Sequence, residues 1–348
     1  MTNLNTHQTL TTRPSESLSV ETLLDMYWYM LLARRTDERA WVLHRQGKIA
    51  FHISGMGHEA TQVGAAFAIN RGVDVVIPYY RDLALVMSIG ITARDFMISL
   101  FGKEGEISSK ARQMPSHWGS KAHHIVSTSS PVATQVPQAA GVAFGIKYRQ
   151  QMGLVSPEDT TQPRLAITCL GEGSTSQGEW HEGMNWAGVH KLPFICIVQN
   201  NNYAISVPIE QQMAVSSVAA RANAYGVHGV TVDGTDILAV YDVMCAAVQR
   251  AYRGEGATLI EAKCYRLTPH SSDDDDRTYR PREEVEEAKR LDAILRYEKH
   301  LLERGVLTEA LKAEYEARAR KTVDEAQRAA EAAPYPPIEI MYGSVYAE

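Results

Sequence analysis

Along this chain the apolar positions change period several times. Residues 194–198 are an unbroken apolar run, 165–170 are interrupted only by Thr168, 258–265 are apolar apart from Thr258, Glu261 and Lys263, and 73–78 are a shorter run containing Asp74. Such runs predict strands buried on both faces, as in a parallel sheet. Between them the spacing turns helical. Residues 20–47 carry a stripe of Leu24, Tyr27, Met30 and Leu31 that stops at Gly47. Residues 138–150 read as a helix with Gly141 and Gly145 one turn apart, which predicts close packing against another element. A further helix fits 237–253. Strands alternating with helices define an α/β fold, a parallel sheet flanked by helices. Residues 283–333 are charged and helical, with Leu291, Ile294, Leu295 and Leu301 as the expected buried side.

The predicted organisation is therefore a disordered N-terminal arm (1–19), an α/β domain (20–282) and a helical C-terminal extension (283–348). The extension ends in a tail with Ile338, Ile340, Met341, Val345 and Tyr346, too apolar to stay free, so it is expected to dock. Residues 55–68 are rich in small side chains. Residues 103–131 are rich in Ser, His and Gly and too irregular for an element, and long loops of that kind carry function or are disordered. Residues 267–282 form a polar loop in which Asp273 to Asp276 read as a solvated acidic run.

Composition narrows the function. With 348 residues, 22% charged residues and a net charge of -6, the chain has no basic surplus to suggest a nucleic-acid partner. No apolar run reaches membrane-spanning length. The first residues lack the apolar core of a secretory signal, which points to the cytoplasm. Cys169, Cys196, Cys245 and Cys264 form no CxxC pair and read as reduced thiols, three of them within apolar runs. The spacing of His117, His123 and His124 matches no standard zinc site.

Candidate chemistry sits where two strands end. The run 165–170 leads into Gly171-Glu172-Gly173, and the next strand into Gln199-Asn200-Asn201-Asn202-Tyr203. In an open parallel sheet ligands bind at these carboxyl ends, and a right-handed crossover puts both on one side. Ser176 and Glu179 have capping-box spacing, with Trp180, Gly183, Met184 and Ala187 as the buried face of the helix that follows. A helix N-terminus there suits a diphosphate. An acid and an asparagine suit Mg²⁺, which takes oxygen ligands.

A glycine-acid-glycine followed at this distance by a double asparagine resembles the signature of thiamine-diphosphate enzymes. Glu172 departs from the commoner aspartate. The resemblance extends over residues 20–346 and is to the alpha subunits of branched-chain 2-oxoacid dehydrogenases. Tyr79-Tyr80-Arg81-Asp82, Arg112-Gln113-Met114-Pro115, 129–138, Tyr203-Ala204-Ile205-Ser206 and 265–280 carry it. Pyruvate and acetoin dehydrogenases, the alternative reading, commonly have a Gly-Gly-Ser-Met-His stretch at 113–117, although some bacterial pyruvate dehydrogenases share the Met-Pro form. A non-catalytic subunit, the reading from another class, would have lost the magnesium ligands; Glu172 and Asn201 are present.

The resemblance implies a thiamine-diphosphate-binding fold and particular roles. Glu172, Asn201 and the Tyr203 carbonyl would hold Mg²⁺. Tyr80, Arg81, Ser130, Val132, Gly173, Ser174, Ile205 and His270 would contact the cofactor. Gln199, where several relatives have a cofactor-binding arginine, is counted with them. Ser129, Pro131, Thr134 and Gln135 match a monovalent-cation site, with K⁺ the expected ion. Phe51, Tyr80, Met114, Pro115, Ser116, His117 and Ser130 would line the substrate side, and His270, Tyr80 and His117 are the catalytic candidates. The same resemblance implies a beta subunit in a two-alpha, two-beta assembly and a lipoyl-bearing acyltransferase core. Four consecutive aspartates repel one another, so the 267–280 loop is expected to be mobile without cofactor and ordered with it.

Overall fold

A computed structural model describes residues 13–154 and 163–343. The chain runs α1 (Val20–Arg45), α2 (Glu59–Ala68), β1 (Val75–Ile77), α3 (Leu83–Ser88), α4 (Ala93–Leu100), α5 (Gln135–Gln151), β2 (Ala166–Gly171), α6 (Gly178–Val189), β3 (Phe194–Asn200) and a small hairpin, β4 (Tyr203–Ala204) with β5 (Val207–Pro208). It continues through α7 (Ala222–Tyr225), β6 (His228–Asp233), α8 (Ile237–Tyr252), β7 (Thr258–Lys263), α9 (Arg282–Arg290), α10 (Ala293–Glu303) and α11 (Glu309–Ala332). The sheet order is β1-β2-β3-β7-β6, every pairing parallel.

Strand alternation divides the core in two. Ile167, Ile195, Ile197 and Ile260 face the layer built by α1, α2, α8 and the C-terminal helices. Ala166, Leu170, Phe194, Cys196, Val198 and Leu259 face α5 and α6. With both faces covered, the strands read in sequence as near-continuous apolar runs. The edge strand β6, whose residues are mostly exposed, carries no such run and is not legible from it.

Helix ends follow their caps. Ser19 accepts from Thr22 N at the start of α1, and Thr92 and Asp95 form a full capping box on α4. The capping box expected at Ser176 does not form: 172–176 turns as a 3-10 segment and α6 begins at Gly178. The buried face of α6 is nevertheless Trp180, Gly183, Met184 and Ala187.

Several expectations need correction. Residues 13–19 are not a loose arm, because the Ser15 amide and hydroxyl both donate to the Asp242 carboxylate, at 2.7 and 2.8 Å; residues 1–12 lie outside the described residues. The region after 282 is helical as expected, and two of its helices, α10 and α11, also pack into the main core. The Tyr27 hydroxyl donates to Glu298 at 2.8 Å, Arg34 bonds Asp292 at 2.7 Å, and Leu301 and Val323 are buried. Ile294 is buried there too, but Leu291 and Leu295 are 65% and 54% exposed: the stripe is broken where α9 stops and α10 begins. A Cβ added at Gly141 or Gly145 meets nothing within 4 Å, so among the described residues nothing packs closely there. The tail backbone is tethered at both ends, Glu104 N to Pro334 O and Arg112 to Gly343 O, yet Ile338, Met341 and Tyr342 stay exposed. Val345 and Tyr346 lie outside the described residues. No described helix is long and apolar enough to cross a membrane.

Candidate active site

The strand ends deliver their side chains to one cavity of about 430 Å³. From the end of β2 come Glu172, Gly173 and Ser174, and from the turn after β3 come Asn201, Tyr203 and Ile205. The turn after β1 supplies Tyr79, Tyr80 and Arg81, and β7 leads to Arg266 and His270. Phe51, Met114, Pro115, Ser116, His117, Ser129, Ser130 and Val132 close the rest from loops. Gly173 is required for the approach of the hairpin, since a Cβ there would lie 2.5 Å from Ala204 Cβ. Ser116, Asn202 and Ile205 have φ of 67°, 71° and 55°, and positive φ at a β-branched residue such as Ile205 is strain that surrounding structure must hold.

The metal candidates form an oxygen set. Glu172 is 2% exposed, and burial raises its carboxyl pKa. Its Oε2 accepts from Asn201 N at 3.1 Å, while Oε1 is buried and accepts no well-formed hydrogen bond among the described residues, with the Gln212 side chain the carboxylate's other polar neighbour. Asn201 Oδ1 takes a long contact from Tyr203 N at 3.4 Å, and the Tyr203 carbonyl one from Arg266 at 3.4 Å. An orphaned buried carboxylate oxygen is costly. Three underused oxygens from an acid, an amide and a carbonyl fit a hard cation such as Mg²⁺. Asn202, by contrast, is exposed.

Cationic groups stand beside this set. Arg81 is 2% exposed, bonds the Ser54 carbonyl, and approaches His270 Nδ1 and the His270 carbonyl, each at 3.4 Å. A guanidinium only donates, so the His270 ring proton belongs on Nε2. Burial first, then Arg81 and Arg266, hold the His270 pKa down to about 3, so the ring is neutral. Arg266 is fully buried, donates to Ile205 O at 2.9 Å, and has an Nε with no partner among the described residues. Sequence reasoning missed it as a site residue, although it follows a strand end by only three positions. On the other wall His117 Nδ1 donates to Met114 O at 2.9 Å and Nε2 accepts from Ser130 Oγ at 2.7 Å.

Pro131, Thr134 and Gln199 do not line the cavity. Thr134 Oγ1 sits 2.8 Å from Ser129 Oγ and 3.0 Å from the Pro131 carbonyl, gathering three oxygens; Gln135 lines an adjoining pocket and donates to Cys169 O at 3.0 Å. The expected cofactor contact at Gln199 is corrected: its side chain is fully buried and bonded to Asp82, His58, Gln62 and Tyr79. The acidic run is solvated at Asp273 and Asp275, which are exposed, but Asp274 and Asp276 are partly buried. Asp274 accepts from His270 N at 2.8 Å, Asp275 pairs with Arg277 at 2.6 Å, and Asp276 pairs with buried Arg280. Specific bonds, including those of Arg280 to the Arg266 and Thr268 carbonyls, thus tie the 267–280 loop together.

Sheet, cavity and oxygen set define a cofactor-dependent enzyme component of the α/β class. The family described as Dehydrogenase E1 component matches residues 27–339, and the chain belongs to it. Membership implies thiamine diphosphate as the cofactor. Among individual relatives, the chain is 49% identical to the 2-oxoisovalerate dehydrogenase subunit alpha of Bacillus subtilis (strain 168), over 99% of both chains. It is 36% identical to the mitochondrial subunit alpha of Homo sapiens, covering 96% of this chain and 73% of that one. For the subunit alpha 1 of Arabidopsis thaliana the identity is 33%, over 95% and 67%.

Proposed function

We propose that this chain is the alpha subunit of the decarboxylating component of a cytoplasmic branched-chain 2-oxoacid dehydrogenase, holding the metal-diphosphate half of thiamine diphosphate. The observation that carries the reading is Oε1 of Glu172, buried without a well-formed hydrogen bond among the described residues and set with Asn201 and the Tyr203 carbonyl in a cavity that also holds Arg81 and Arg266. When bound, the cofactor supplies the electron sink for decarboxylation. Glu172, Asn201 and Tyr203 would bind Mg²⁺, and Arg81 and Arg266 would offset diphosphate charge. His270, neutral with its proton on Nε2, can give or take a proton, or simply bind phosphate. His117, fixed by Met114 O and Ser130 Oγ, is a second proton-transfer group on the substrate wall. Phe51, Ile53, Met114, Pro115 and Val132 make that wall apolar, which suits an aliphatic side chain. Ser129, Pro131, Thr134 and Gln135 are the place for K⁺.

Only the metal-diphosphate half of the site is built from this chain. We place the remainder on a beta subunit, in a two-alpha, two-beta assembly that passes its acyl group to a lipoyl-bearing acyltransferase. The test is 2-oxoacid decarboxylation with Mg²⁺ and thiamine diphosphate. The isolated chain should be inactive, and the chain co-expressed with its beta subunit should turn over 3-methyl-2-oxobutanoate faster than pyruvate. Robust turnover by the isolated chain would refute the two-chain site, and preference for pyruvate would refute the substrate.

A further inference from the structure

Behind the cavity lies a polar cluster almost wholly closed to solvent. Gln199, at the end of β3, donates from Nε2 to Asp82 Oδ1 at 2.6 Å. Its Oε1 accepts from His58 Nδ1 at 2.8 Å, Gln62 Nε2 at 3.1 Å and the Tyr79 hydroxyl at 3.2 Å. Asp82 Oδ2 accepts from Tyr79 N at 3.0 Å, and Gln62 Nε2 also holds the Arg81 carbonyl at 2.9 Å. Gln199, Asp82 and His58 are all 0% exposed. Buried polar groups this closely interlocked persist only where each donor meets an acceptor. Gln199 meets that demand asymmetrically, as donor toward Asp82 and acceptor toward three donors.

The cluster joins two parts of the site that the sheet keeps apart. Gln199 pairs in register with Gly171, the residue before Glu172, and stands two residues before Asn201. Asp82 belongs to the turn carrying Tyr80 and Arg81, which leaves β1 on the far side of β2. We infer that Gln199 and Asp82 are a positioning pair that locks the Arg81 turn to the Glu172–Asn201 strand ends, so that diphosphate and metal are gripped together. The inference rests on the cofactor reading above. It makes Gln199 a residue that acts through Arg81 and Asn201 without touching the cofactor.

The donor-acceptor asymmetry supplies the test. Q199E sets two carboxyls against each other, and D82N sets two amide donors against each other. The double variant D82N/Q199E restores the pattern with the roles exchanged. Q199M removes the bonds at similar volume and without new charge, which covers failure of a charged variant to fold. Each is co-expressed with the beta subunit, and thiamine-diphosphate affinity is measured calorimetrically across a series of Mg²⁺ concentrations. Q199E, D82N and Q199M should each weaken cofactor binding about tenfold or more and flatten its Mg²⁺ dependence. D82N/Q199E should return to within about threefold of wild type, with the Mg²⁺ dependence restored. A general loss of fold would lower the melting temperature without changing the linkage between metal and cofactor. Q199M and Q199E binding like wild type, or a double variant as weak as the singles, overturns the inference. E172A serves as the separate control: if it leaves Mg²⁺-dependent binding intact, the cofactor reading itself falls.

Discussion

Replacing Arg280 by methionine removes the cation that closes the loop bearing His270. The Arg280 side chain is fully buried; it donates to Thr268 O at 3.0 Å, to the Arg266 carbonyl, and to the Asp276 carboxylate. Its guanidinium also lies 5.2 Å from the centre of the Tyr265 ring. Bonds from a charged donor contribute about 1.5–3 kcal/mol each. R280M deletes an ion pair and two carbonyl bonds, but keeps much of the packing against Tyr265. Asp276, 17% exposed, recovers some solvation. A net loss of about 3 kcal/mol in the closed loop follows. Tryptic cleavage after Arg277, whose side chain is 84% exposed, reads loop opening directly. When opening is fast relative to cleavage the rate tracks the open population, and about 1.4 kcal/mol is tenfold, so cleavage should accelerate about a hundredfold. Global melting should change far less, because the main core lies elsewhere. Acceleration below about threefold would refute the claim that Arg280 holds the loop. Suppression of cleavage by Mg²⁺ and thiamine diphosphate in the alpha-beta protein would show that the cofactor tightens it further.

Asn201→Ala should weaken Mg²⁺-dependent cofactor binding by about tenfold or more, while exposed Asn202→Ala leaves it nearly unchanged; equal losses by calorimetry would mean the oxygen set is misassigned. Burial first, and Arg81 next, hold the His58 pKa down to about 3, against 6.5 in the unfolded chain. The unfolded state therefore binds more protons between those values, and stability should fall as pH drops below about 6.5. H58Q should flatten that slope, and an unchanged slope in urea midpoints from pH 7 to 5 would refute it. Gly57→Ala places a Cβ 1.9 Å from the Tyr265 carbonyl at φ +96° and should cost about 3 kcal/mol or more. Gly72→Ala, at φ +80° with nothing within 4 Å, should cost only about 1 kcal/mol. Similar midpoints for the two would remove the steric argument.

The sequence by itself determined the two central strands, the parallel sheet and the residues at its carboxyl ends. Short apolar runs rich in β-branched residues and closed by glycine or asparagine suit a sheet covered on both faces, and Glu172 and Asn201 follow directly from where those runs stop. The buried face of α6 was legible for the same reason: helical period is local. Strand parity also put Gln199 on the same face as Ile195 and Ile197, away from Val198. Only the tertiary structure revealed that this face meets His58 and Gln62 of the α2 region, and that Asp82 stands across β2 to take its amide. That contact turns an expected cofactor ligand into part of a buried network. Arg266 was missed, and Leu291 and Leu295 were misplaced, on the same principle. Period tells how often a side chain returns to a face, whereas what that face meets depends on elements distant in sequence. The start of α6 was decided tertiarily as well. Residues 172–176 turn as a 3-10 segment that brings Glu172 beside Asn201 and Gly173 against Ala204, contacts from another strand end that outweigh the local capping signal at Ser176.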